Sequence, residues 1–77
     1  MDRFREMESL VAVVETGSFV KASVALRVSK AAVSQTIVAL ETRLGARLLQ
    51  RTTRRVSLTE AGRAYLAHCK QILADVA

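Results

Sequence analysis

The stretch that decides the fold is Ser29-Lys30-Ala31-Ala32-Val33-Ser34-Gln35-Thr36-Ile37-Val38-Ala39-Leu40-Glu41-Thr42-Arg43-Leu44-Gly45. It opens on serine, whose side chain accepts a free backbone N–H at a helix start. It closes on glycine, the residue type that ends helices in a left-handed turn. Between them Ala32, Val33, Ile37, Leu40 and Leu44 recur at helical spacing and make one apolar stripe. Lys30, Ala31, Ser34, Gln35 and Val38 fall on another face, with no aromatic among them. A helix with one buried stripe and one face of short side chains can enter a groove that a bulkier face could not.

Charge points the same way. Residues 1–28 balance four Lys/Arg against four acids, and residues 59–77 balance two against two. Residues 29–58 carry Lys30, Arg43, Arg47, Arg51, Arg54 and Arg55 against Glu41 alone, so the formal net charge of +5 sits in the middle of the chain. Such a concentration is the electrostatic footprint of a nucleic-acid binder.

With 77 residues the chain makes one small domain, with little room for a cofactor pocket beside the core. No apolar run approaches the length of a membrane span, and the charged start MDRFREME argues against a secretory signal. A single cysteine forms no intrachain disulfide, which suits a reducing cytoplasm. His68 and Cys69 are adjacent, but no cluster of ligands surrounds them, so neither a metal nor a cofactor is expected. No nucleophile motif or glycine-rich phosphate loop is present, and an enzyme is not expected.

Flanking segments read as further helices and one hairpin. Phe4, Met7, Leu10, Val11 and Val14 share one side of a helix from about Asp2, a plausible cap, to Thr16, stopped by Gly17. Ser18 caps a short second helix with Phe19, Ala22 and Leu26 inward, and the turn Arg27-Val28-Ser29 leads into the central helix. A short helix, a tight turn and a longer helix form a helix-turn-helix pattern. After Gly45, the apolar pairs Leu48/Leu49 and Val56/Leu58 flank a polar, basic tip and read as a β-hairpin. Thr59 then caps a last helix whose stripe is Ala61, Tyr65, Leu66, Cys69, Ile72, Leu73 and Val76. The part from Cys69 onward is expected to run roughly 12 Å past the core at the helical rise, leaving apolar surface for a partner.

The run VVETGSFVKASVALRVSKAAVSQTIVALETRLGARLLQRTTRRVSLTEAG resembles the N-terminal DNA-binding domain of LysR-type transcriptional regulators. The resemblance covers essentially the whole chain and rests on several motifs at the right spacing. These are ETGSF, then VS followed by Ile37 and LE, then LG and LLQRTTRRVSLTEAG. It implies a mainly α protein: a winged helix-turn-helix with a three-helix core and a β-hairpin wing over residues 1–58. A long linker and dimerisation helix over 59–77 would follow. It also implies that the second helix of the motif reads the major groove and the wing lies by adjacent backbone or minor groove. The family's effector-binding domain, which would follow the last helix and take a small molecule, is not in this sequence. Lys30-Ala31 stands where members often carry Gln-Pro, Gln35 where Arg is frequent, and Ser23 where a second alanine is usual.

The candidate DNA contacts are Ser29, Lys30, Ala31, Ser34 and Gln35 on the helix and Arg51, Thr52, Thr53, Arg54 and Arg55 in the wing. Gln pairs in bidentate fashion with adenine, and Ser donates to a base edge or a phosphate. Ser29 serves as cap or phosphate neighbour, Lys30 suits phosphate, and Ala31 is either filler or a thymine-methyl contact. Arg51 either meets DNA or anchors the wing, and Arg54 is the first choice for a minor groove. Tyr65, Leu66, Cys69, Ile72, Leu73 and Val76 are the expected dimer surface. Sequence-specific binding of double-stranded DNA by a cytoplasmic homodimer, on an interrupted palindrome, follows as the expectation. The alternative is a small helical interaction module whose basic face binds an acidic protein. The absence of an aromatic anchor on the Lys30/Ser34/Gln35 face favours DNA.

Overall fold

The computed structural model describes residues 3–51 and 56–76. Four helices and one hairpin follow in order: α1 (Arg3–Thr16), α2 (Phe19–Leu26), α3 (Lys30–Leu44), β1 (Leu49–Arg51), β2 (Val56–Leu58) and α4 (Glu60–Val76).

Local chemistry sets most of the boundaries. Gly17 takes φ +71° and its N–H closes on the Val13 carbonyl at 2.8 Å, ending α1. The Ser18 hydroxyl oxygen accepts the Lys21 N–H at 3.2 Å and starts α2. The turn out of α2 is made by Arg27, which sits in the left-handed region at φ 60° without being glycine. The Ser29 oxygen accepts the Ala32 N–H at 3.0 Å, so α3 begins where expected. Its other end is a Schellman turn: Ala46 N–H reaches the Glu41 carbonyl at 3.2 Å and Gly45 N–H the Thr42 carbonyl at 3.3 Å. Thr59 caps α4 by accepting the Gly62 N–H at 2.9 Å. The proposed Asp2 cap lies outside the described residues.

The hairpin is antiparallel, with Leu49 opposite Leu58, Gln50 opposite Ser57 and Arg51 opposite Val56. Leu10, Val13, Ala22, Val33, Ile37, Leu40, Leu48, Leu49, Leu66 and Cys69 make one buried core. Helices α1, α2 and α3 pack on one another, and α4 packs along α1.

That last contact corrects the expected path of α4. Cys69 is fully buried and Leu66 nearly so, both in the chain's own core. Because α1 runs alongside, cover for α4 extends beyond the hairpin, and the free stripe begins later, at Ile72 and Leu73, which are half-buried, and Val76, which is exposed. Ala61, placed on the stripe from sequence, is exposed. On α1 the buried line runs Glu6, Ser9, Leu10, Val13, while Phe4 is 45% exposed. The centre of that face rotates toward Glu6 because a cation from α3 meets its carboxylate there. Leu44, expected on the α3 stripe, is 38% exposed, one turn past the buried Leu40.

Candidate nucleic-acid interface

Helix α3 turns Val33, Ile37 and Leu40 into the core, which leaves Lys30, Ala31 and Gln35 exposed, Ser34 half-buried and Val38 51% exposed on the outer side. Five of the predicted contacts, Ser29, Lys30, Ala31, Ser34 and Gln35, therefore share the start of one helix. The Ser29 oxygen that caps α3 keeps its own hydroxyl hydrogen available to an acceptor.

The central cations are not equivalent. Arg43 turns away from the outer face of α3 and donates from Nη2 to Glu6 Oε1 at 2.5 Å. This hydrogen bond holds the Arg43 guanidinium above its ordinary value; partial desolvation opposes it and Tyr65 adds a smaller push upward. Lys30, Arg47 and Arg51 are exposed. The Arg51 guanidinium lies over the ring of Phe19, 4.4 Å from its centroid. Thr52, Thr53, Arg54 and Arg55 lie outside the described residues.

Two groups absent from the predicted set fix the wing against α3. The Glu41 carboxylate, the sole acid of residues 29–58, accepts the backbone N–H of Leu48 at 2.8 Å and of Leu49 at 3.2 Å. Those donors would otherwise lack partners where the chain leaves the helix for β1. Thr59 donates its N–H to the Leu48 carbonyl at 3.0 Å and its hydroxyl to the Arg47 carbonyl at 2.5 Å. The isolation of Glu41 in a basic tract was the signal available in sequence, since a lone acid there has a local reason to persist. Ser23, buried in α2, has its hydroxyl satisfied by the Val20 carbonyl at 2.6 Å.

Cys69 is a free, buried thiol, pushed above its ordinary value by burial. Among the described residues no group of three or more His, Cys, Asp or Glu is placed to hold a metal ion. Nor is any described helix long and apolar enough to cross a membrane.

A three-helix core whose second and third helices form a helix-turn-helix, with a two-stranded wing locked to the end of the third, defines a winged helix-turn-helix domain. The chain belongs to the lysR family of bacterial regulatory helix-turn-helix proteins, whose family model matches residues 4–63. It is 54% identical over 66 residues to an HTH-type transcriptional regulator of Xanthomonas campestris pv. campestris (strain 8004), covering 86% of this chain and 19% of that one. It is 47% identical over 76 residues to an HTH-type transcriptional repressor of Pseudomonas aeruginosa (strain UCBPP-PA14), covering 99% and 24%. The HTH-type transcriptional activator AaeR of Escherichia coli (strain K12) is 43% identical over 76 residues, covering 99% and 25%. This chain thus spans no more than a quarter of the length of these curated relatives.

Among solved structures, the CbnR DNA-binding domain in complex with DNA superposes with a TM-score of 0.92 at 37% identity, covering 99% of this chain and 86% of that one. The BenM DNA-binding domain bound to catB site 1 DNA gives 0.92 at 36% identity, covering 99% and 84%.

Proposed function

We propose that this chain is the part of a LysR-type regulator that binds double-stranded DNA sequence-specifically, with α3 in the major groove and the wing on adjacent backbone or minor groove. The observation that carries this reading is the outer face of α3: short polar and small side chains, open to solvent, inside the segment that holds all the excess positive charge. Ser34 and Gln35 read base edges, Lys30 and Ser29 meet phosphate, and Ala31 lies against the groove floor. Thr52, Thr53, Arg54 and Arg55 extend the contact from the wing. The CbnR and BenM domains, alike in fold and above 30% identity, were solved on DNA, which supports the same partner here.

The reading includes a homodimer. Residues 1–58 serve as the reading unit and 59–77 as the pairing helix, with Ile72, Leu73 and Val76, flanked by Tyr65, as the surface that meets a second copy. Leu66 and Cys69 support it from the core. Two-fold pairing asks for an interrupted palindrome. The place of action is the cytoplasm, and a small-molecule effector enters only through a further domain. A repressor and an activator resemble this chain to a similar degree, so the direction of regulation is not a property of this segment.

The test is a titration of the 77-residue chain against random duplex DNA across a range of salt, followed by selection of sites from a random pool. A steep linear fall of log affinity with log salt, and an enriched two-fold site, support the reading. Salt-independent binding, or no enrichment, would remove it.

A further inference from the structure

The hairpin holds three residue pairs, too few to be rigid unaided, so its orientation depends on what ties it down. Glu41 and Thr59 tie the end near Leu48 and Leu49. Arg51 stands two residues further along β1, roughly 7 Å away at the rise of a strand, and directly precedes the tip residues 52–55. At that far end Val56, opposite Arg51, packs on the core from β2, and on β1 the Arg51 guanidinium lies on Phe19. Phe19 is the first residue of α2, directly after the Ser18 cap, and it is half-buried, with the Arg51 guanidinium over its ring. Thirty-two positions apart in sequence, the two bring the head of the helix-turn-helix to the end of β1.

We propose that Phe19 is a positioning residue for DNA binding: its ring holds the Arg51 guanidinium, at the end of β1, at a fixed offset from α3. The inference rests on the DNA-binding reading and adds to it a group that need not touch DNA. At 4.4 Å the guanidinium is well inside the range of a cation–π contact. Stacking occupies the face of the guanidinium and leaves its N–H donors, which lie in the plane, free to meet a phosphate. The ring orients the cation without using its donors. An Arg51 held in this way presents its cation in register with α3, and the ordering of that side chain is not deferred to the binding step.

The experiment is a double-mutant cycle on the 77-residue chain, read as Kd for the selected duplex at fixed salt, with Tm measured for every variant. Phe19→Leu keeps an apolar side chain and removes the π face; Phe19→Tyr keeps both. Phe19→Leu and Arg51→Ala are each expected to weaken binding about three- to tenfold. The double variant should be no weaker than the worse single, and Phe19→Tyr should bind within about twofold of the unmutated chain. Losses that multiply in the double variant would overturn the proposal, as would unchanged Kd in Phe19→Leu. So would a Phe19→Leu loss explained by partial unfolding at the assay temperature and not reversed in Phe19→Tyr. Absence of salt-dependent duplex binding by the unmutated chain would sink the DNA-binding reading itself, and this proposal with it.

Discussion

Arg43 Nη2 and Glu6 Oε1 meet at 2.5 Å across the seam of α3 and α1, with the Glu6 side chain 4% exposed and that of Arg43 38% exposed. A carboxylate so enclosed is tolerable only with its partner present, because burying an unpaired charge is far worse than burying neither. Arg43→Met should therefore lower the urea midpoint clearly, and adding Glu6→Gln should recover much of the loss. A double variant as unstable as the single would show that the pair does not act as a unit. Since Arg43 faces α1, Arg43→Met should also leave the salt slope of DNA binding unchanged, unlike removal of a phosphate contact.

Gly62 makes a second close approach. A Cβ built on it would stand 2.0 Å from the Leu48 carbonyl oxygen and 2.8 Å from its carbon, and both are backbone atoms that cannot swing aside. Gly62→Ala must push α4 off the start of the wing, at the place where Thr59 holds the same carbonyl. Overpacking of this kind costs about 1–3 kcal/mol or more, and in a domain this small each kcal/mol shifts Tm by about 4–8 °C. A thermal scan in which Gly62→Ala melts with the unmutated chain would show that the helix shifts freely.

Burial raises the Cys69 thiol above its ordinary value of 9.0, with hydrogen bonding to Tyr65 offsetting part of the effect. The folded state thus holds this proton more tightly than the unfolded chain does. The resulting stability is complete below about pH 9 and is lost as pH rises through the higher folded value. Cys69→Ala should lose this alkaline component, so the stability difference between the two proteins shrinks as pH rises above about 9. A constant difference through the alkaline range would mean that the thiol ionises as easily folded as unfolded.

Much of this architecture was legible because its signals are local. Ser18, Ser29 and Thr59 start helices with their own side chains, and Gly17 and Gly45 end them with left-handed backbone. The outer face of α3 followed from the spacing of Val33, Ile37 and Leu40. What escaped depends on distant partners. Glu6 reads as a surface acid until Arg43, 37 residues on, is placed beside it. Cys69 reads as overhanging until α1 is laid along α4. Phe19 was expected to point inward, but the ring also supports Arg51 from the wing, and nothing within either segment announces the pairing.

Gln35 tests the specificity of the candidate site. It is exposed on the face that also carries Ala31 and Ser34, and its amide can both donate to and accept from an adenine edge. Gln35→Ala should cost roughly 1–3 kcal/mol against the best selected duplex and much less against random DNA. Equal losses on both would make Gln35 a backbone contact.

The pairing of two copies should depend on the last turns of α4 and not on its middle. Leu66 and Cys69 lie in the core of the chain itself, so substituting them would change the stability of the fold and not report on assembly. Ile72 and Leu73 are half-buried and Val76 is 60% exposed, which leaves one apolar edge beyond the part of the helix covered by α1. Complete burial of such side chains contributes about 1.5–3 kcal/mol each, and the half-covered ones have only the remainder to gain. A dimer held by this edge alone is therefore weak, and its dissociation should be visible on dilution. Sedimentation of the 77-residue chain over a range of micromolar concentrations should show a monomer–dimer equilibrium. Ile72→Glu with Leu73→Glu should abolish the dimer while leaving a cooperative thermal transition, and should weaken binding to a two-half-site duplex far more than to a single half-site. A monomer at all concentrations that still binds the two-half-site duplex tightly would show that α4 does not join the copies.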